Sequence, residues 1–163
     1  MPDRPDFGTY VTERSDRLLR TAYLLCRDWA TAEDLVQTSL TRAWLAWNRI
    51  GTDPDPYVYR ILVNTHASWW RRRWRGETPT EALPDLGASE RYGVEDRDVL
   101  WAALGRLGKR ERAAVVLRYF ADLEHATIAE ILGCSPVTVR SQISRALAKL
   151  RVDPAIAYVR EGA

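Results

Sequence analysis

The feature that most constrains the fold is a glycine turn between two short apolar-periodic segments late in the chain. The first segment, His125 to Leu132, is too short to be a stable isolated helix, and Gly133 supplies the left-handed backbone residue that ends it. Ser135 is suited to cap a following helix, and Pro136 fits the first turn of that helix. The turn therefore predicts a helix-turn-helix rather than one long helix.

The helix predicted after the turn has two contrasting faces. Apolar side chains at offsets 0, 4, 7, 8 and 11 from Val139 form its core face: Val139, Ile143, Ala146, Leu147 and Leu150. The opposite face has no acidic residue between Ser135 and Arg151, and a solvated basic stripe is its plainer interpretation. The glycine turn favours a helix that enters the major groove of DNA. Base-reading candidates are Ser141, Gln142 and Arg145, phosphate-contacting candidates are Arg140, Lys149 and Arg151, and Thr138 lies on the same face.

Two amphipathic helices are predicted near the start of the chain. The first covers 15–29. The second opens with a capping arrangement of Thr31 and Asp34 and ends near Asn48. Their predicted inward residues are Leu18, Ala22, Leu25, Cys26, Trp29, Val36, Leu40, Ala43, Trp44 and Trp47.

A third helix is predicted after a loop in which Gly51 and two prolines interrupt the helical pattern. Asp55 is its expected cap and Pro56 its expected first residue, and it runs to about Arg73. Its predicted inward residues are Val58, Ile61, Leu62, Thr65 and Trp69.

The stretch from Trp74 to Val94 carries scattered glycines and prolines without periodicity, which is typical of a linker. Helical periodicity returns at Val99 and predicts about four helices in a second unit. No β-alternation persists, so the predicted fold class is all-α, with two small helical domains joined by a flexible linker. The predicted boundaries are a helical domain at 1–73, a linker at 74–94, a helix-turn-helix domain at 95–155 and a short tail at 156–163.

Aromatic and basic side chains are interleaved on the predicted solvent side of the third helix. One stripe holds Arg60, Asn64, Ala67 and Arg71, and a neighbouring one holds Tyr59, Val63, His66 and Trp70. Rings stack on unpaired bases while guanidinium groups hold the backbone, so this combination suits single-stranded nucleic acid. The alternative is that the tryptophans complete a small core, which is the preferred interpretation for Trp69. For Trp70 and the run Arg71, Arg72 and Arg73 we predict nucleic-acid contact.

Several function classes are excluded by what the sequence lacks. No apolar run approaches the ~20 residues that span a bilayer, and the start has no signal-peptide layout, so a cytoplasmic protein is expected. Cys26 and Cys134 lack metal-site spacing; Cys26 is expected to be a small buried hydrophobe, and a redox role for Cys134 stays open. No nucleophile elbow, phosphate-binding glycine loop or metal-ligand cluster is present, which predicts a protein without cofactor, metal or enzymatic activity.

With both surfaces in view, the chain resembles a bacterial RNA polymerase sigma factor of the extracytoplasmic-function group, nearest to the actinobacterial SigE family. The resemblance covers nearly the whole chain and is carried by several segments. These are Thr21-Ala22-Tyr23-Leu24-Leu25, Ala32-Glu33-Asp34-Leu35-Val36-Gln37, Arg42-Ala43-Trp44, Tyr59 to Thr65, Trp69-Trp70-Arg71-Arg72-Arg73, Thr138-Val139-Arg140-Ser141 and Arg145-Ala146-Leu147.

The resemblance implies a role for each surface. The second helix would dock on the β′ clamp of core RNA polymerase through Asp34, Gln37, Thr41 and Arg42. The loop and third helix would open the −10 element and capture an unstacked base, with the candidates Asn48, Arg49, Arg60, Asn64, Trp70, Arg71, Arg72 and Arg73. The last helix would read the −35 element as duplex, and the β flap of the polymerase would be a further contact.

Other functions remain open at this point. The strongest rival is an autonomous helix-turn-helix regulator that binds a palindrome as a dimer, and a third is an RNA-binding or scaffold module. The sigma interpretation predicts an adaptor that is monomeric when free, and it leaves an anti-sigma partner open. Core polymerase and promoter DNA are its expected partners.

Overall fold

The computed structural model describes residues 3–76 and 95–154 of the 163-residue chain. Within these ranges the chain forms seven α-helices and one 3-10 turn, with no strand, so the prediction of an all-α fold is confirmed. The chain divides into two compact units, Met1–Pro84 and Asp85–Ala163. The elements are α1 (Phe7–Cys26), α2 (Trp29–Leu45), a 3-10 turn (Trp47–Arg49), α3 (Asp55–Gly76), α4 (Glu95–Gly105), α5 (Lys109–Tyr119), α6 (His125–Leu132) and α7 (Pro136–Val152).

Helix α1 differs from its predicted bounds at both ends. It begins at Phe7 rather than 15, because the Asp6 carboxylate accepts a hydrogen bond from the Thr9 backbone N–H at 3.1 Å and caps the first turn. It ends at Cys26 because Arg27 adopts a left-handed conformation with φ of 65°. The predicted continuation to Trp29 is therefore wrong, since an arginine occupies the position where a glycine would have marked the end.

Helix α2 begins at Trp29, and its cap is Asp28 rather than the predicted Thr31. The Asp28 carboxylate accepts a hydrogen bond from the Thr31 backbone N–H at 2.8 Å, so Thr31 is the donor inside the first turn. Trp44, predicted to face inward, is 58% exposed. Trp47 is buried as predicted, but it lies in the 3-10 turn that follows the helix.

Helix α3 begins at Asp55, one residue earlier than predicted, since the Val58 N–H donates to the Pro54 carbonyl at 3.0 Å. It continues to Gly76, past the predicted end near Arg73, so 74–76 are helical and the rest of the predicted linker lies outside the described residues. Of the predicted inward residues, Val58, Leu62 and Thr65 are buried, whereas Ile61 and Trp69 are half-buried. Tyr59, predicted on the solvent side, is 1% exposed and belongs to the core.

The first unit is built around α2, which packs against both α1 and α3. Its core joins aliphatic residues of the three helices, such as Leu18, Leu35 and Leu62, with aromatic rings. The Tyr23 and Trp29 rings stack at 4.0 Å across the α1–α2 junction. Cys26 is half-buried, and its thiol donates to the Asp28 carbonyl at 3.3 Å, so it is less enclosed than expected.

In the second unit α7 packs against α5 and α6. Four consecutive residues of α5, 114–117, are buried, which makes this helix the centre of the unit. Arg106, in the turn after α4, holds the buried Asp153 carboxylate through two hydrogen bonds of 2.7 and 2.8 Å, and so joins that turn to the end of α7. The predicted tail 156–163 lies outside the described residues.

Candidate functional site

The helix-turn-helix forms as the sequence predicts. Helix α6 ends at Gly133, whose φ of 69° is left-handed, and the Cys134 N–H donates to the Ala129 carbonyl at 3.0 Å. The Ser135 hydroxyl accepts a hydrogen bond from the Thr138 N–H at 3.2 Å, and Pro136 opens α7. These local contacts fix the direction in which α7 leaves the turn.

The two faces of α7 separate by burial. Val139, Ile143 and Ala146 are buried against the rest of the unit. On the opposite side Arg140, Arg145 and Lys149 are exposed, whereas Thr138, Ser141 and Gln142 are half-buried. The long basic side chains are therefore the more accessible ones, as a helix facing a polyanion requires. Arg151, the other predicted phosphate contact, is also exposed.

One acidic side chain stands beside this basic face. The Lys149 Nζ lies 2.8 and 3.1 Å from the two carboxylate oxygens of Glu111 in α5. The sequence gives no signal for this pair, because its members are 38 positions apart.

Val137 lies outside the predicted set of contacts but is prominent on the same helix. It occupies the first turn of α7 and its side chain is 70% exposed. The sequence could have indicated this exposure, because Val137 lies outside the apolar core stripe of the helix. The outward face of α7 therefore begins with one exposed aliphatic side chain among polar and basic ones.

The candidate strand-binding residues of the first unit lie on the 3-10 turn and on α3. Asn48 and Arg49 are exposed in the turn after α2. On α3 the predicted solvent stripe is realised: Arg60, Asn64, Ala67 and Arg71 are all exposed, as are Trp70 and Arg72. In the neighbouring stripe Val63 and His66 are half-buried and Tyr59 is buried, and the side chain of Arg73 lies outside the described part.

The 3-10 turn is held by the start of the chain. The Arg4 Nη1 donates to the Ile50 carbonyl at 2.9 Å, and its guanidinium lies 5.6 Å from the centroid of the Trp47 ring. The rings of Phe7 and Tyr10 lie 5.2 and 5.3 Å from the Trp47 ring. These contacts fix the backbone that presents Asn48 and Arg49.

A second tether lies where α3 begins. The Tyr10 hydroxyl donates to Asp55 Oδ1 at 2.8 Å, and the Arg14 Nε lies 3.6 Å from the same oxygen. Burial, followed by the nearby Asp55 charge, strongly raises the pKa of Tyr10, so its hydroxyl stays protonated as a donor. Burial likewise raises the pKa of Tyr59 to about 12.

The predicted partner-binding face of α2 is accessible. Asp34, Gln37 and Thr41 are exposed, and Thr38 is half-buried. Arg42 is exposed too, but its Nη1 donates to the buried Thr65 hydroxyl at 2.9 Å and so connects α2 to α3. Leu45, at the end of the same face, is 76% exposed and lies outside the predicted set.

The described ranges 3–76 and 95–154 contain no group of His, Cys, Asp or Glu residues arranged to hold a metal ion. Both cysteines are half-buried. Among the same residues, no helix combines the length and apolar character needed to cross a membrane.

Both units match families of known proteins. Residues 3–76 match the model of sigma-70 region 2, and residues 97–150 match that of sigma-70 region 4. The chain is 40% identical over 151 residues to the RNA polymerase sigma-E factor of Streptomyces avermitilis, covering 91% of this chain and 84% of that protein. It is also 40% identical over 153 residues to the sigma-E factor of Streptomyces coelicolor, covering 91% and 85%.

A solved structure shows the same fold. The sigma factor RpoE of Bartonella quintana, determined in complex with the anti-sigma factor NepR, matches with a TM-score of 0.74 and 26% identity. The match covers 90% of this chain and 94% of that one.

Proposed function

The chain belongs to the sigma-70 family of RNA polymerase sigma factors, in the extracytoplasmic-function group, and from that premise we propose how its surfaces divide the work of promoter recognition. The second unit reads the −35 element as duplex, and the first unit binds core polymerase and holds the opened −10 element. The observation that carries the proposal is the capped helix α7, whose exposed face is basic and whose core face is buried.

Duplex reading is assigned to α7 because its outward residues suit the major groove. Arg145, exposed in the middle of the helix, has the planar donor fork that pairs with guanine, and Gln142 can pair with adenine. Arg140, Lys149 and Arg151 would position the helix through phosphates, which carry no sequence information. Val137 supplies the apolar contact that suits a thymine methyl group.

Strand capture is assigned to the 3-10 turn and α3 because a melted strand requires exposed rings, amides and guanidinium groups. Trp70 offers a ring for stacking, and the exposed stripe of Arg60, Asn64 and Arg71 offers donors to bases and phosphates. Asn48 and Arg49 stand on the turn fixed by Arg4 and Trp47. Arg72 and Arg73 continue the basic run.

Polymerase binding is assigned to α2. Asp34, Gln37, Thr41 and Arg42 offer charged and polar groups to the β′ clamp, and Leu45 adds an exposed apolar residue at the end of that face. Relatives in this family also suggest an anti-sigma partner, because RpoE of Bartonella quintana was determined bound to one. The protein acts in this scheme as an adaptor to the polymerase.

The experiment that tests the proposal combines the chain with bacterial core RNA polymerase. Co-purification is measured first, and run-off transcription from a genomic fragment library is then compared with and without the chain. Core binding together with new transcript starts is the expected result, and it would define the promoter motif. Tight binding to a palindromic duplex as a dimer, without core association, would replace the proposal with an autonomous regulator.

Two variants separate the surfaces. Arg145→Ala is expected to weaken recognition of the −35 duplex by ~1 to 3 kcal/mol and to leave core binding intact. The matched control is Arg110→Ala, which removes an exposed arginine from α5 in the same unit. If Arg145→Ala abolished core binding, the assignment of α7 to DNA would be wrong.

The converse variant is Asp34→Arg with Gln37→Ala, expected to remove core binding while the helical circular dichroism is retained. Both side chains are exposed, so the change leaves the core of the first unit untouched. Glu13→Arg, on an exposed position of α1, is the control for an equal change in charge. Loss of helical signal would show that these residues maintain the fold instead.

A further inference from the structure

Lys149, in the last turns of α7, is held by a carboxylate from another helix. Lys149 Nζ contacts both carboxylate oxygens of Glu111, at 2.8 and 3.1 Å. The Glu111 side chain is only 12% exposed, whereas that of Lys149 is 56% exposed. Because α5 packs directly on α7, the carboxylate has little freedom to move away. A fixed negative charge therefore stands at one end of the face assigned to DNA.

We propose that Glu111 competes with DNA phosphate for Lys149 and thereby lowers the affinity of the protein for duplex DNA. This inference rests on the proposed function of α7. Lys149 carries one positive charge, and the Glu111 carboxylate neutralises it in the free protein. The Lys149 end of the pair is exposed to water, where ion pairs are weak, so a phosphate can take over the ammonium group. The partly enclosed carboxylate is then left beside a polyanion, which opposes binding a second time.

The effect of Glu111 is expected to be independent of DNA sequence. Phosphate contacts position a helix without reading bases, so Glu111 weakens binding to every duplex by a similar factor. The base contacts of Arg145 and Gln142 then contribute a larger share of the remaining affinity. A chain with this device would bind bulk DNA poorly until polymerase and a matching −35 element both hold it in place.

The test measures binding of the full chain to a fluorescein-labelled duplex of mixed sequence, about 25 base pairs long, by anisotropy between about 50 and 200 mM KCl. The variants are Glu111→Gln, Lys149→Ala and the two combined. Glutamine keeps the shape of glutamate and removes its charge, and thermal melting followed by circular dichroism confirms that the variants are folded. Glu130→Gln, at an exposed position of α6, removes the same charge without touching Lys149.

Glu111→Gln is expected to tighten duplex binding several-fold at the lowest salt. Because Glu111 no longer neutralises Lys149 beside the DNA, the protein presents one more net positive charge to the phosphates. The slope of log K against log salt should therefore steepen by about 0.9, and the gain in affinity should shrink about 3.5-fold over that salt range. With Lys149→Ala in place, Glu111→Gln should leave the slope unchanged. Glu130→Gln should also leave it unchanged.

Other results overturn the inference in distinguishable ways. Equal or weaker binding by Glu111→Gln, while Arg145→Ala still loses duplex binding, would overturn the competition and leave the proposed function standing. An equal steepening in Glu130→Gln would reduce the effect to bulk charge and also overturn it. If neither wild type nor Glu111→Gln bound duplex, and Arg145→Ala left transcription unchanged, both the inference and the role of α7 would fall.

Discussion

The two surfaces assigned to DNA are positioned by different means. In the second unit the direction of α7 follows from residues adjacent in sequence, since Gly133 ends one helix and Ser135 caps the next. In the first unit the turn bearing Asn48 and Arg49 is held by the start of the chain, with Arg4 bonded to a carbonyl 46 positions away. The surface that we propose reads duplex DNA is therefore fixed by local sequence, whereas the surface that we propose holds the opened strand depends on tertiary packing.

The contrast predicts different sensitivities to mutation. A surface fixed by local turn chemistry should respond mainly to changes in the turn itself. A surface fixed by distant contacts should respond to substitutions far from it in sequence. Variants in either unit can test this difference.

The largest effects are expected in the two cores. Leu62 of α3 and Ile128 of α6 are completely buried, so Leu62→Ala and Ile128→Ala should each cost about 2 to 5 kcal/mol of unfolding free energy. Hydrogen exchange measured by mass spectrometry should show lost protection chiefly in the unit that carries the substitution. Equal loss across 3–76 and 95–154 in both variants would show that the two units unfold as one cooperative body.

A smaller effect is expected from Tyr10→Phe, which removes the hydroxyl that donates to Asp55 at 2.8 Å. Because the acceptor is a charged, largely enclosed carboxylate, the cost should be about 1.5 to 3 kcal/mol. Denaturant unfolding measures it, and Tyr57→Phe, at an exposed position of α3, is the control. Equal stability of the two variants would show that the hydrogen bond from Tyr10 to Asp55 does not stabilise the first unit.

The same contrast explains what the sequence could predict. The glycine turn and the cap of α7 are properties of a few adjacent residues, and the structure has them where they were expected. Of the predicted core stripe, Val139, Ile143 and Ala146 are buried, whereas Leu147 and Leu150 are half-buried. The all-α class and the exposed stripe of α3 also follow from periodicity alone. Predictions were wrong where an unusual residue filled a special backbone position, as Arg27 does with its left-handed φ.

The other differences between the sequence predictions and the structure involve contacts between residues that are far apart in the chain. Tyr59 is buried because α1 and α3 meet around it, although its helical position is next to the exposed stripe. Trp44 is 58% exposed, and its ring lies 5.0 Å from that of Phe7 at the edge of the core. The pairing of Lys149 with Glu111 joins residues 38 positions apart, which no local pattern reveals.

The turn itself is tested by Gly133→Ala. No atom lies within 4 Å of an added Cβ, so the whole penalty is the left-handed backbone, about 1 to 2 kcal/mol for a residue with a side chain. Gly133→Asn should cost less, because asparagine tolerates this conformation. Gly51→Ala is the control, since it too meets open space and lacks a positive φ, and it should be nearly neutral. Thermal unfolding of the second unit would show whether local geometry governs this surface.

The smallest expected effect is a pH dependence of the unfolding free energy. It comes from the buried hydroxyl of Tyr59 in the first unit. Burial raises its pKa to about 12, whereas an unfolded tyrosine has a pKa near 10. Between these values the unfolded chain loses the proton first, so stability falls as pH rises above 10, by about 1 kcal/mol at pH 10.5. In the Tyr59→Phe variant, the fall in unfolding free energy between pH 8 and pH 10.5, measured by denaturant unfolding, should be smaller by this amount. Tyr119→Phe, at an exposed position of the second unit, should leave it unchanged, and an identical pH dependence in both variants would contradict the burial of Tyr59.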